Sequence, residues 1–375
     1  MPHQHFGNSD SSITIDLDAI NANWRYIDGL SAPTTKTAAV VKANAYGLGS
    51  CAVAKALAQA GCKLFFVASL AEAIELRAVF RQIGHNDLTI MVFHGVQVGQ
   101  EADFTAHQCE PVLNDLEQIS RWQLYAAKNG TMLPAVLHFD TGMNRLGLDS
   151  DQTNWLIQNR EALNGLKLTY VMSHLVSGEL IDDPVNVRQL NSFNKLHSSF
   201  SATPASIANS AGSLLGSNYH FSMTRPGIAL YGIHPSEDLH SPLKTAFDWQ
   251  ARILQIHNAS AGERVGYGGT YQLDRDSRIA TLGVGYADGY PRRLGGVATV
   301  SIGGRPAPVI GRVSMDSITV DVTGFDEESL NTGKASLLHA DYRVEKMAKD
   351  VGTIPYEIMT GLGNRAQRHY RGGGG

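Results

Sequence analysis

From about residue 36 to residue 232, short β-branched runs alternate with longer stretches of helical periodicity, and this alternation constrains the fold more than any other feature of the chain. Apolar runs fall at 37–42, 64–68, 88–93, 110–113, 135–140, 166–173, 205–208 and 227–231, eight in all. Between them lie helical patterns at 51–60, 70–83, 115–128 and 183–200, the first three closed by Gly61, Gly84 and Asn129-Gly130. Glycine or asparagine just past the last periodic residue is a stop signal, because these residues enter the left-handed conformation cheaply. Eight strand-helix units with short links predict a closed (β/α)8 barrel of the TIM type. An open doubly wound sheet is the architectural alternative, since strand number alone does not prove closure.

After about residue 241 the texture changes. Runs at 251–256, 278–285, 297–302, 307–310 and 316–322 are short, β-type and separated by Gly, Pro and Asp, which predicts a mostly-β second domain. The expected division is a barrel over 13–240 and a β-rich domain over 241–375, with a strand at 12–16 that need not belong to the barrel. The 38 glycines among 375 residues exceed the usual share of about 7%. The surplus lies in the second domain, where Gly266, Gly268 and Gly269 cluster and Gly285 and Gly289 flank Tyr286. The closing glycine run at 372–375 reads as an added tail.

The balance of 31 basic and 35 acidic residues gives −4 with no long like-charge run, which excludes a nucleic-acid or anionic-membrane partner as the expected role. Residues 1–12 lack the basic-then-apolar arrangement of a signal peptide. No apolar run reaches the roughly 18 residues needed to span a bilayer. Cys51, Cys62 and Cys109 are odd in number and match neither a disulfide framework nor a zinc site, so no metal is expected. A cytoplasmic location follows, and there the acceptor patterns at Asn129 and Asn258 carry no meaning. Charged residues are only 18% of the chain, in keeping with surface buried against a second copy.

The first apolar run ends in Lys42 and leads into Ala43-Asn44-Ala45-Tyr46-Gly47-Leu48-Gly49. A buried ammonium must be paired, deprotonated or used covalently, and the C-terminal end of a barrel strand faces the active site. The plain alternative is a lysine that snorkels out of the barrel mouth. Gly47, Gly49 and Ala52 also spell G-x-G-x-x-A, a weak dinucleotide fingerprint that raises a Rossmann oxidoreductase as a rival. Against it, the segment that should carry the ribose-binding acid has none before Glu72. The glycines fit close backbone approach to a different phosphate.

Val41-Lys42-Ala43-Asn44-Ala45-Tyr46-Gly47-Leu48-Gly49 resembles the pyridoxal-phosphate lysine motif of the alanine racemases. The resemblance continues in Asp140-Thr141-Gly142-Met143-Asn144-Arg145-Leu146-Gly147, Met172-Ser173-His174, Ala208-Asn209-Ser210 and Arg225-Pro226-Gly227-Ile228. In the second domain it takes in Val265-Gly266-Tyr267-Gly268, Gly285-Tyr286-Ala287-Asp288-Gly289 and Gly311-Arg312-Val313-Ser314-Met315-Asp316. Each motif alone is a weak signal; their number and order cover nearly the whole chain.

The resemblance implies a fold, a cofactor and a set of roles. Pyridoxal 5'-phosphate supplies the electron sink that makes removal of an amino-acid Cα proton feasible, with Lys42 as its covalent attachment and as one base. Racemisation needs a second acid/base on the opposite face, and the matching residue is Tyr267, delivered in that family to the partner subunit's cofactor. A phenol is a weak base at neutral pH, so nearby cations must favour its ionised form. Arg225, supported by His174, is implied to face the pyridine nitrogen, where an arginine, unlike an aspartate, disfavours protonation and limits side reactions. Tyr46, Ser210, Gly227 and Ile228 are implied to hold the phosphate. Arg145 is implied to contact the cofactor and the substrate carboxylate, and Tyr286, Met315 and Asp316 the substrate pocket. Taken alone, His174 reads as a hydrogen-bonded core histidine, Arg145 as a solvated arginine and Tyr267 as a half-buried strand tyrosine like Tyr231 or Tyr271.

Two departures stand out. Many family members carry a carbamylated lysine two residues before the D-T-G-M run, whose negative charge holds the motif arginine; here that position is His138. The expectation is that a bound anion such as chloride, or a neutral contact from the ring, secures Arg145. A phosphate-binding tyrosine near the C-terminus is also common, where this chain reads Gly361-Leu362-Gly363-Asn364-Arg365. The expected protein is a homodimeric L/D-alanine racemase with shared active sites. A serine or broad-specificity racemase differs only in pocket shape, and a non-catalytic cofactor carrier would need neither Tyr267 nor the second domain.

Overall fold

The computed structural model describes residues 8–236 and 242–373; most of the segment 1–12, the expected 240/241 boundary and the end of the glycine tail lie outside them. The chain divides into two compact units, one of residues 17–245 with the segment from 373, the other of residues up to 16 with 246–372.

The first unit is a barrel of parallel strands. Its first strand has two halves, Lys36–Thr37 and Ala39–Val40, and Leu64–Val67, Thr89–Val92, Cys109–Leu113, Leu133–His138, Leu166–Met172 and Ala205–Ser206 follow in spatial order. The eighth, Met223–Thr224, pairs in parallel with Lys36–Thr37. It also joins the seventh, because Ser222 and Arg225 N–H groups donate to the carbonyls of Ala205 and Ala208, each at 2.9 Å. These bonds close the cylinder. Residues such as Phe65, Phe66, Ile90, Met91, Val136, Leu137 and Val171 are fully buried. Strands covered on both faces are apolar at nearly every position, which is why the sequence shows runs rather than alternation. Removing one such ring, as in Phe65→Ala beside Phe80 at 4.8 Å, would cost about 3–5 kcal/mol.

The helices begin where the caps direct. Ser69 and Glu72 form a reciprocal capping box for Leu70–Gln82. Asp115, Asp149 and Asp183 each accept a backbone N–H at the start of Leu116–Asn129, Ser150–Gln158 and Pro184–Ser198. One expected strand is not one: residues 227–231 hold a short 3-10 turn, Ile228–Tyr231, and the eighth strand lies just before it. Pro226 has no N–H to extend the ladder, and an apolar run this short does not distinguish a strand from a buried turn.

The second unit is built on an eight-stranded sheet around the long, bent strand Phe247–Ala259. That strand pairs antiparallel with Ser11–Asp16, Ser277–Leu282 and Lys334–Ser336. Ser11–Asp16 lies between it and the parallel last strand, Gln367–Arg371. The long strand starts at the unit boundary, where Asp16 N–H donates to the Ala246 carbonyl at 2.8 Å. Lys334–Ser336, Gln367–Arg371 and the helices Val344–Val351 and Pro355–Thr360 add to the elements foreseen from the sequence.

Candidate active site

Lys42 follows the first barrel strand and opens a turn of unusual hand. Ala43, Asn44, Ala45 and Tyr46 all have φ between 51° and 55°, so the chain makes one turn of left-handed helix. This conformation costs non-glycine residues about 1–2 kcal/mol each. Local bonds hold it: Ala45 N–H reaches the Val41 carbonyl at 2.9 Å, and Asn44 Oδ1 accepts Ser50 N–H at 2.8 Å. Glu72 ties the turn to the next strand, with Oε1 accepting Ala43 N–H and Oε2 accepting Ala68 N–H, both at 2.7 Å. The carboxylate that caps the helix Leu70–Gln82 thus also pins the residue after the lysine. Lys42 Nζ sits 5.6 Å from the Phe93 ring centre. Burial lowers its pKa from the ordinary lysine value, Arg145 adds to the effect and Glu72 opposes it. The amine is thereby nearer to the neutral form that acts as a base or nucleophile.

Tyr46, at the end of this turn, packs on Tyr231 with ring centres 5.0 Å apart, and Tyr231 donates to the Val40 carbonyl at 3.1 Å. Gly227 lies against the Tyr46 hydroxyl so closely that a Cβ there would collide with it. Ser210 Oγ accepts the N–H groups of Gly227 at 2.7 Å and Ala229 at 3.3 Å, and Ile228 begins the adjoining turn. Two hydroxyls and the start of a 3-10 turn converge there, a cradle suited to a phosphate.

Arg225 follows the eighth strand and is buried. Its Nη1 donates to Ser206 Oγ and its Nη2 to the Ser173 carbonyl at 2.6 Å. Its Nε has no partner among the described residues. Burial pushes its pKa down to about 9, so it is still cationic at neutral pH. His174 is held neutral: burial first, then Arg225, Arg145, His138 and Lys42, keep its pKa well below the ordinary value.

His138 ends the fifth strand, and its protonation is fixed by a neighbour. Asn114 Nδ2 donates to the carbonyls of Phe93 and Val112, both at 2.9 Å, so its Oδ1 is the acceptor that meets His138 Nδ1 at 2.8 Å. Nδ1 therefore carries the proton. Burial, followed by Arg225, lowers the His138 pKa to about 3, with Asp140 opposing. The ring is neutral and Nε2 presents a lone pair. Arg145 stands exposed on the loop after this strand, where Asp140 Oδ1 accepts the N–H groups of Gly142 and Met143 at 2.8 Å.

The remaining sequence-derived residues lie in the second unit. Tyr267 is 71% exposed on a turn between Gly266 and Gly268, both at positive φ, and the Arg312 guanidinium lies beside Gly268. Tyr286 and Met315 are also exposed, on loops joined by the Ala287 N–H to Met315 carbonyl bond at 3.0 Å. Asp316 pairs with Arg365 Nη1 at 2.6 Å. Sequence reasoning missed Glu72, Asn114, Ser206 and Arg365. Only Glu72 had a visible signal, the Ser69-x-x-Glu72 capping pattern.

The left-handed turn and the closed barrel leave no Rossmann fingerprint at Gly47 and Gly49. Two family models match the chain: Alanine racemase, N-terminal domain, over residues 15–235, and Alanine racemase, C-terminal domain, over residues 246–370. The alanine racemase of Brucella abortus is 43% identical over 96% of this chain and 94% of that one. The catabolic alanine racemase of Agrobacterium fabrum is 40% identical over 98% and 94%. Among solved structures, alanine racemase from Bartonella henselae with covalently bound pyridoxal phosphate superposes with a TM-score of 0.91 at 39% identity, covering 97% of this chain and 100% of that one. With both halves matched and whole-length relatives above 30% identity, the chain belongs to the alanine racemase family.

Proposed function

We propose that this chain is a pyridoxal-phosphate-dependent racemase that interconverts L- and D-alanine, working as a homodimer in the cytoplasm with Lys42 and Tyr267 as opposed acid/base groups. The observation that carries this reading is Arg225. It is a buried cation without a carboxylate partner among the described residues, and its Nε lacks an acceptor. A pyridine nitrogen kept unprotonated is such an acceptor. The cradle of Tyr46, Ser210, Gly227 and Ile228 fits the phosphate, and Lys42 the covalent attachment. When bound, the cofactor supplies the electron sink for the Cα–H bond, and an arginine at the ring nitrogen weakens that sink enough to disfavour transamination.

Lys42 Nζ, with its lowered pKa, takes or returns the Cα proton on one face of the substrate. The Tyr267 hydroxyl, reaching over from the second copy, does so on the other face, so one proton leaves and another arrives with inversion. The exposure of Tyr267 and the cation of Arg312 beside its turn support that assignment. Arg145 holds the substrate carboxylate. No bond joins His138 to Arg145 among the described residues; we assign the orientation of Arg145 to a contact that the His138 Nε2 lone pair would accept from the guanidinium, in the place of an anion. Tyr286 and Met315 narrow the pocket. The free thiols Cys51, Cys62 and Cys109 agree with a reducing compartment, and no helix among the described residues is long and apolar enough to cross a membrane.

The test is visible absorbance of the purified protein beside its Lys42→Ala variant, followed by circular dichroism of L-alanine and L-serine with time. The wild type should show the cofactor band and lose the alanine signal faster than that of serine, and the variant should do neither. Absence of the band from the wild type would overturn the reading; faster loss of serine would replace the substrate and keep the chemistry.

A further inference from the structure

The segment 361–365, which matches no phosphate-binding pattern, has a different place in the fold. Three pieces of the second unit interlock there: the Tyr286 turn, the Met315 loop and this segment. Tyr286 N–H donates to the Ser314 carbonyl at 3.1 Å, and Gly363 N–H donates to the Asp288 carbonyl at 2.9 Å. The approach is so close that a Cβ at Gly285 would collide with the Met315 carbonyl, and one at Gly289 with the Gly361 carbonyl. Over this junction lies one side chain. Arg365 places Nη1 2.6 Å from Asp316 Oδ1 and Nε 3.3 Å from Asp288 Oδ1. The second carboxylate oxygen of Asp288 accepts Gly285 N–H at 2.9 Å.

We infer that Arg365 is a positioning residue for substrate selection, holding the Tyr286 turn and the Met315 loop at a fixed separation through Asp288 and Asp316. The inference rests on the reading above in which Tyr286 and Met315 narrow the pocket. The Asp316 arm is exposed and by itself worth little; in the other arm the Asp288 side chain is only 4% exposed while Arg365 is 54% exposed, so the carboxylate is fixed by the fold and the guanidinium lies over it from the solvent side. A planar guanidinium spans two carboxylates in a fixed fork, which a lysine cannot do. The assignment also redefines Asp316: its carboxylate holds the clamp, and Met315 alone of that pair faces substrate.

The experiment compares holoenzyme R365Q, R365K and M315A with wild type. Readouts are kcat and KM for alanine and serine, the cofactor band, and hydrogen exchange at the Tyr286 and Ala287 amides. R365Q should lower the alanine-over-serine ratio of kcat/KM by about three- to tenfold, chiefly through KM, since a slackened pocket forfeits part of what one methylene-sized contact discriminates. It should speed exchange at both amides and leave the cofactor band intact. R365K should fall between, and it carries the test if R365Q does not fold. An unchanged ratio and exchange in R365Q beside a shifted ratio in M315A overturns the clamp alone. An unchanged ratio in M315A removes the pocket reading and the clamp with it.

Discussion

His138 donates its Nδ1 proton to Asn114 Oδ1 at 2.8 Å, in a ring whose pKa burial has lowered to about 3. The native ring therefore takes up no second proton above about pH 3, whereas an unfolded histidine takes one up below about 6.5. Because the folded pKa is depressed, the stability this group contributes is fully present above pH 6.5 and is lost as pH falls toward 3. At pH 5 the loss should be about 2 kcal/mol. A His138→Gln variant should lose less stability than wild type between pH 7 and 5 in urea titrations. Parallel losses in the two proteins would show that the ring is not held neutral.

Gly227 touches the Tyr46 hydroxyl where a Cβ would collide. Gly227→Ala should force the turn or the tyrosine away by an overpacking cost of about 1–3 kcal/mol, felt at the phosphate cradle. Cofactor retention under dialysis should weaken by roughly one to two orders of magnitude. Undiminished retention would place the phosphate elsewhere.

Much of the barrel was legible because its physics is local and repetitive: apolar runs for strands covered on both faces and Gly at helix ends, as at Gly61, Gly84 and Gly130, all at positive φ. The eighth strand was misplaced by a few residues because the buried Ile228–Tyr231 turn is as apolar as a strand. Gln367–Arg371 escaped notice because its sequence, QRHYR, has no alternation; the opening strand of the chain supplies its partner. The side chains that set up the chemistry were the least legible. Asn114 acts on His138 from the end of the neighbouring strand, and Glu72 reaches back to Ala43 from the helix start after the neighbouring strand, relations that only the paired strands create.

Glu72 uses two oxygens on three backbone donors: Oε1 on Ala43 at 2.7 Å, and Oε2 on Ala68 at 2.7 Å and on Ser69 at 3.3 Å. A glutamine offers one oxygen, so Glu72→Gln should leave at least one N–H without its acceptor and destabilise the protein by about 1–3 kcal/mol. It also removes the anion that raises the Lys42 pKa, so the amine should titrate at lower pH than in wild type. Labelling of Lys42 in cofactor-free protein by an amine reagent across a pH series checks this, and an unshifted midpoint would remove Glu72 from the electrostatics of the site.

Tyr267 is presented on a turn whose neighbours, Gly266, Gly268 and Gly269, all take positive φ. None of these three residues has a side chain to compete with the ring, and the conformation costs glycine little. If its hydroxyl serves one face of the substrate and Lys42 the other, Tyr267→Phe removes one of two proton donors while leaving cofactor attachment untouched. Exchange of the Cα proton in deuterated water should then fall by roughly 10²–10⁴-fold for one enantiomer and much less for the other. Equal and full exchange from both enantiomers would take Tyr267 out of the chemistry. An equal loss from both, with the cofactor band displaced, would make it a contact of the cofactor and not a base.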